Sequence, residues 1–332
     1  MSARRASRFE GAVLALSGGI GGAKLALGLD RVLPPGKLVV VANTGDDFEH
    51  LGFSISPDLD TLMYTLAGLN NEELGWGRRG ETWAFMSALE KLGGETWFRL
   101  GDGDLATHVE RTRRLGAGAT LTEVTAELSR RLGIAARLLP MSDDRVRTRL
   151  RSEQGWLDFQ DYFVRRRCEP VVREIVFDGI DHAKPQPDFL AALRDPGLRA
   201  VLLCPSNPFI SIEPILDLPG VRDALAACPA PVVAVSPIIG GRAVKGPTAK
   251  MMRELGLATS AAAVSRRYKG LLDAVILDEV DARDSTDHGA EIFAARTLMT
   301  TLEDKMALAR RALEVADAVA ENRRGEGLRR AR

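Results

Sequence analysis

Cysteine and histidine are both scarce in this chain. Its three cysteines, Cys168, Cys204 and Cys228, are far apart and odd in number. They form neither a metal-ligand spacing nor a disulfide framework, which points to a reducing cytoplasm. The four histidines, His50, His108, His182 and His288, make no HExxH pair and no readable Ser-His-Asp arrangement. Covalent catalysis is therefore unsupported. Long apolar runs are also missing: none approaches the roughly 20 residues that a membrane span needs. Charge of one sign is not in excess, because Lys plus Arg and Asp plus Glu both total 45. That balance removes any global pull towards nucleic acid or an anionic membrane. With 45% hydrophobic and 27% charged residues among 332, the chain is globular and long enough for one large domain or two ordinary ones.

The stretch Val39–Ala67 is richest in signal. Val39, Val40 and Val41 form a β-branched run suited to a buried parallel strand. Asn43-Thr44-Gly45-Asp46-Asp47 breaks it with turn residues and adjacent carboxylates. Ser56 and Pro57 read as N-cap and first residue of a helix that buries Leu59, Leu62, Met63 and Leu66. Two carboxylates about 4 Å apart repel by roughly 4 kcal/mol at an effective dielectric of about 20. A helix N-terminus offsets about 0.3–1 kcal/mol of that. If Asp46 and Asp60 converge, a cation or a shared proton is the natural remedy, and hard oxygen ligands favour magnesium. Asp58 reads as a helix cap and Asp47 as the closure of an Asx turn.

Other glycine and polar clusters also follow short apolar runs. After Ala12–Leu16, the loop Ser17–Lys24 leads into a helix, an arrangement that directs backbone N–H groups at one spot. It is neither a Walker A loop nor a complete GxGxxG, so an anion site and a tight turn remain alternatives there. Lys24 is either a phosphate contact or a solvated side chain. Trp76, Arg78 and Arg79 are candidates to frame a planar charged ligand or to pin a surface loop. Arg99 is the one cation in a strand-like segment and calls for an acid or a ligand. His50 lies close to Asp46 and is a weak candidate base. Arg145, Arg147, Arg149 and Arg151 alternate with apolar residues, as on a half-exposed strand. The later strands Ala200–Cys204, Pro231–Val235 and Ala274–Leu277 alternate with helices, which indicates a parallel sheet with ligands at strand carboxyl ends. The expected organisation is a frayed leader over 1–10, a core over 11–140 and 195–322, an inserted cap over 141–194, and a loose tail over 323–332. The last helix is expected from Leu302 to about Val319.

Several motifs together resemble the 2-phospho-L-lactate transferase family of coenzyme F-420 biosynthesis. They are LSGGIGGAK at 16–24, NTGDD at 43–47, SPDLDTLMYTLAG at 56–68, GWGRRGETW at 75–83, RLGDGDLATH at 99–108, LPMSDD at 139–144, PSNPFISI at 205–212 and SPIIGGRAVKGPT at 236–248. The resemblance implies an α/β, Rossmann-like, doubly wound and mostly parallel sheet with a smaller inserted cap, in a homodimer. It implies transfer of a phospho-lactyl or phosphoenolpyruvyl group from a guanosine-diphosphate-linked donor to the ribityl hydroxyl of the deazaflavin precursor Fo, with magnesium required and GMP released. An upstream guanylyltransferase would supply the donor. By motif match, Asp46 and Asp60 would hold magnesium, and Asp60 with Arg99 would contact Fo, beside Trp76 and Arg79. Gly18, Gly19, Gly21, Gly22 and Lys24, with Asn43, Ser206, Asn207, Ile238, Gly240 and Gly241, would cradle the nucleotide. Two alternatives stand beside this reading. One is a nucleotide-sugar-binding regulator of the same superfamily, against which Phe48-Glu49-His50 stands after the paired aspartates. The other is a nicotinamide-dependent oxidoreductase, resting only on the imperfect glycine loop.

Overall fold

The computed structural model describes residues 9–244, 246–283 and 287–330, with side chains described as far as 324. Seven short apolar runs become strands: β1 (Val13–Ser17), β2 (Leu38–Ala42), β3 (Arg137–Pro140), β4 (Ala200–Leu203), β5 (Val232–Val235), β6 (Ala274–Asp278) and β7 (Glu291–Ala295). They pair in parallel in the order β7-β6-β5-β4-β1-β2-β3. The chain builds outward from β1 through β2 to β3, then returns to place β4 on the other side of β1. The order therefore reverses between β1 and β4, and a crevice opens at their carboxyl ends.

Alternation along the strands divides the core between two faces. Val13, Ala15 and Val40 pack with Leu59, Leu62, Leu308 and Ala312 on one face. These helical residues come from α2 (Pro57–Leu66) and α4 (Leu302–Arg330), and α1 (Ile20–Val32) packs closely on α4. Leu14, Leu16 and Val41 face the other way and join Val146, Leu150, Leu157, Tyr162 and Phe189. Those partners lie in 141–194, where Arg147–Ser152 pairs antiparallel with both Gly155–Asp158 and Glu174–Asp178. This segment thus shares the apolar core of the main sheet. Two rungs of its arginine ladder are cross-strand ion pairs. Arg149 lies 3.3 Å from Asp158 and 3.4 Å from Asp178, and Arg151 lies 2.7 Å from Glu174. Such exposed pairs are worth about 0–1 kcal/mol each.

Three local expectations change. Trp97–Leu100 is irregular: Trp97 and Phe98 lay their rings against Phe48 of the short hairpin Phe48–His50/Phe53–Ile55 and form no ladder with it. The last helix runs to Arg330, past Val319 and through most of the expected tail, and Arg323 pairs with Asp273 along it. Residues 331–332 lie outside the described residues, as do 1–8 of the expected leader. Phe9 is buried, and the Gly11 N–H donates to the Gly197 carbonyl at 2.7 Å, so the ordered chain starts before residue 11.

Gly28 lets α1 and α4 touch. A Cβ there would overlap the Lys305 carbonyl and come within 3.2 Å of the Ala309 Cβ. Gly28→Ala should lower stability by about 1–3 kcal/mol, because overpacking outweighs the helix-propensity gain. Urea denaturation measures this, and an unchanged or raised midpoint would contradict the close contact.

Candidate functional site

The two walls of the crevice are stitched together at the ends of β1 and β4. The Gly18 N–H donates to Ser206 Oγ at 3.0 Å. Side chains at the neighbouring glycines would collide with the protein. A Cβ on Gly18 would overlap Ser211, one on Gly21 the Pro205 carbonyl, and one on Gly22 the hydroxyls of Ser17 and Ser206. A Cβ on Gly19 would sit 2.8 Å from Asp58 Oδ1. Close packing thus explains these glycines, and Gly21 and Gly22 already lie inside α1. Lys24 donates to the Met299 carbonyl at 2.7 Å, so its ammonium ties α1 to the approach to α4.

Asn43, just past β2, joins three segments. Its Oδ1 accepts from the Gly45 N–H at 2.8 Å, and its Nδ2 donates to Asp58 Oδ2 at 3.0 Å and to the Ile210 carbonyl at 3.1 Å. Pro57 opens α2 as expected, but Ser56 makes no side-chain cap. Its hydroxyl donates to Asp47 Oδ2 at 2.7 Å instead. Asp58 is turned to Asn43 and the glycine turn, so it is a site carboxylate in the first turn of α2.

These contacts bury a row of acids. Burial pushes the Asp46 carboxyl well up, and the Asp58 charge pushes it further. Burial raises Asp58 to about 7 against the Asn43 hydrogen bond. Burial likewise raises Asp47 to about 7, countered by Arg147, whose charge acts from the central strand of the 141–194 segment. Among the described residues, Asp46 Oδ1 and Asp47 Oδ1 have no hydrogen-bond partner.

Asp60 has a different environment. Both its oxygens face Arg111 of α3 (Asp102–Gly116): Nη1 donates to Oδ2 at 3.1 Å and Nη2 to Oδ1. His108 Nδ1 lies 3.3 Å from Arg111 Nη1 and 3.7 Å from Asp60 Oδ2, while its Nε2 lies 3.3 Å from Asp104 Oδ2. Tyr64 donates to Asp104 Oδ1 at 2.6 Å. Ligand atoms of Asp60, Asp104 and His108 fall within 4.8 Å of one another. The Arg111 guanidinium offsets one of the two carboxylate charges in that cluster. Of the expected pair, Asp60 is ion-paired to Arg111, while the acids acting on Asp46 are Asp58 and then Asp47.

The expected acceptor residues form an exposed wall. Arg99 is exposed with its guanidinium 4.2 Å from the Trp83 ring, so it has no need of an acidic partner. Trp76 packs edge-on to Trp83 at 6.4 Å. Arg79 is exposed and anchored through its backbone N–H to the Leu69 carbonyl at 2.8 Å. Arg78 reaches inward, donating to the Gly103 carbonyl at 3.0 Å. Among the residues expected to cradle a nucleotide, Asn207 Oδ1 accepts from the Phe209 N–H at 2.9 Å. Ile238–Ile239 and Arg242–Ala243 form a hairpin whose tip, Gly240 and Gly241, has φ of +55° and +71°. Both values suit a tight two-residue turn. The Gly240 N–H donates to Asp281 Oδ2 at 2.9 Å. Lys245 lies outside the described residues. His50 is buried against Trp97, centroids 5.0 Å apart, and burial lowers its pKa, so it is set among aromatics and away from base chemistry.

Sequence reading passed over Arg111, His108, Asp104 and Tyr64. The available signal was spacing: Asp104, His108 and Arg111 stand at i, i+4 and i+7, one helix face made of polar residues.

A doubly wound parallel sheet with a glycine turn and buried carboxylates at its switch point defines a Rossmann-like α/β protein. The sequence profile described as 2-phospho-L-lactate transferase CofD matches residues 13–316, and the chain belongs to that family. It is 43% identical over 316 residues to a phosphoenolpyruvate transferase of Streptomyces griseus subsp. griseus, covering 92% of this chain and 99% of the relative. It is 39% identical over 300 residues to a 2-phospho-L-lactate transferase of Methanosarcina mazei, covering 90% and 98%. A crystal structure of a upf0052 family protein from Bacillus halodurans matches with a TM-score of 0.61 at 14% identity, covering 92% of this chain and 99% of that one, a likeness of fold alone. The Rossmann-like fold and the transferase family expected from the sequence both stand.

The raised carboxyls carry a stability consequence. Asp47 and Asp58 titrate near 7 when folded, against an ordinary 3.8. Their ionisation opposes folding fully above pH 7, and the penalty fades as pH falls through 7. Metal-free protein should therefore melt at a higher temperature at pH 6 than at pH 8. Each such group changes stability by up to about 1.4 kcal/mol per pH unit in that window. Calorimetry in EDTA reads the trend, and a lower melting temperature at pH 6 would contradict it.

Proposed function

We propose that the protein transfers a phosphoenolpyruvyl or phospholactyl group from a guanosine-diphosphate-linked three-carbon acid to the terminal ribityl hydroxyl of Fo. The hydroxyl oxygen forms a bond to the phosphorus that bears the three-carbon acid, the bond from that phosphorus to the bridging diphosphate oxygen breaks, and GMP leaves while the hydroxyl proton is released. The observation that carries this reading is the buried acid row with unpartnered oxygens on Asp46 and Asp47. Relatives named phosphoenolpyruvate transferase range from 38 to 44% identity and those named 2-phospho-L-lactate transferase from 38 to 39%; the five most similar of these carry the first name, which leans towards the phosphoenolpyruvyl donor.

The hard, buried, unpartnered oxygen of Asp46 fits magnesium, and Asp58, the acid that acts most on Asp46, would share the ion with it. When bound, magnesium neutralises phosphate charge as the leaving group develops. The chain's own residues do the rest. The N-terminus of α1, opened by Gly19 and Ile20, faces the nucleotide phosphates, while the Gly18 N–H is held by Ser206. Ser206, Asn207 and the Ile238–Gly241 hairpin line the guanosine side. Trp76, Arg79 and Arg99 offer stacking and positive charge to the deazaflavin, and Asp60 accepts a hydrogen bond from the ribityl hydroxyl. The protein works in the cytoplasm as a homodimer, fed by a guanylyltransferase that makes the donor.

Purified protein given each donor, Fo and magnesium should release GMP in step with a deazaflavin product of the added mass. EDTA should stop turnover. Asp46→Asn should lower kcat by about 100-fold or more, in line with loss of a charge-stabilising group, while its melting temperature holds or rises. Undiminished turnover in EDTA, or full activity in that variant, would overturn the metal role. GMP release that does not need Fo would overturn the acceptor.

A further inference from the structure

Arg111 is only 1% exposed, and the acid beside it, Asp60, is also buried. A buried ion pair contributes little net stability, because desolvating both charges offsets their attraction, and apolar replacements often fold as well. The pair has a different consequence here. A bidentate guanidinium fixes the plane of a carboxylate as well as its charge. Arg111 is itself held by its Nη1, which reaches the Ser54 carbonyl at 3.4 Å and His108 Nδ1 at 3.3 Å. His108 spans Asp60 and Asp104. Asp104 accepts from Tyr64 on α2, and its backbone N–H donates to Glu81 Oε1 at 2.8 Å. Glu81 Oε2 also accepts from the Gly103 N–H at 2.7 Å, and Arg78 holds the Gly103 carbonyl. Arg78 and Glu81 belong to the loop that carries Trp76 and Trp83. One continuous polar network therefore runs from the exposed aromatic wall, through the first turns of α3, to the Asp60 carboxylate.

From this geometry we infer that Arg111 is a positioning residue for the acceptor. It locks the Asp60 carboxylate in register with the wall of Trp76, Trp83 and Arg99, and His108 and Asp104 brace it from behind. Asp60 then presents its remaining lone pairs to a hydroxyl in one orientation, and the flat ligand and its hydroxyl are aligned by a single rigid unit. The inference rests on the proposed reading that Asp60 meets the acceptor.

Full-length wild type, Arg111→Lys, Asp60→Asn and the double variant test it. Fo affinity is read by deazaflavin fluorescence with GDP and magnesium present, GDP affinity by calorimetry, and folding by thermal melts. Arg111→Lys should weaken Fo binding about tenfold, within the range of coupling between contacting residues, and leave GDP affinity within about twofold. The double variant should bind Fo no worse than Asp60→Asn alone. Unchanged Fo affinity in folded Arg111→Lys, or losses that add in the double variant, would overturn the role. If Arg111→Lys fails to fold, His108→Gln takes its place, and unchanged Fo affinity there is equally contrary. Should wild type bind no Fo at all, the transferase reading fails by itself. The crystal structure of Arg111→Lys then decides the positioning role: a reoriented Asp60 side chain supports it, and an unmoved one overturns it.

Discussion

Five carboxylates, Asp46, Asp47, Asp58, Asp60 and Asp104, are buried beyond the carboxyl ends of the inner strands, and the surrounding structure is organised by how their charge is met. Asp60 and Asp104 are met from within, by Arg111, His108 and the Tyr64 hydroxyl. Asp46, Asp47 and Asp58 are met only in part, by Asn43, Ser56 and the more distant Arg147. A low-dielectric site leaves such groups either protonated or in need of a cation. The first cluster carries its own guanidinium and a dense set of internal partners. The second is under-compensated, which is the electrostatic condition for drawing in a divalent ion together with the phosphates it accompanies.

Topology puts the two clusters side by side. The reversal of strand order at β1 and β4 opens the crevice, and the turn after β2 and the start of α2 deliver four aspartates to it. The glycines after β1 serve this arrangement mainly by letting backbone and side chains of the opposite wall approach. Ser206, Ser211 and Pro205 occupy the volume that side chains would need. A phosphate at this turn would meet backbone N–H groups held in place by that packing.

Much of the framework was legible in the sequence because it depends on local signals. β-Branched runs gave the inner strands, and Pro57 marked the start of α2. Asn43–Asp47 and Ser17–Lys24 stood out as strand-end turns. Partner choice was not legible. Whether Asp60 meets Asp46 or Arg111 depends on which helix packs over α2, and 51 residues separate that acid from its guanidinium. The aromatic segment Trp97–Leu100 reads as a strand by composition, but its rings pack on Phe48 and it joins no sheet. Arg99 reads as buried on the same mistaken premise and is exposed on Trp83. The long last helix ran on because Arg323 finds Asp273, a contact that no local pattern announces.

Calorimetric titration of magnesium into metal-free protein at pH 7, repeated in buffers of different ionisation enthalpy, tests the central claim directly. The account predicts one magnesium bound per chain, with protons released as Asp46, Asp47 and Asp58 give them up on meeting the cation. Magnesium binding without proton release, or no binding with or without GDP, would contradict the account of an under-compensated acid row.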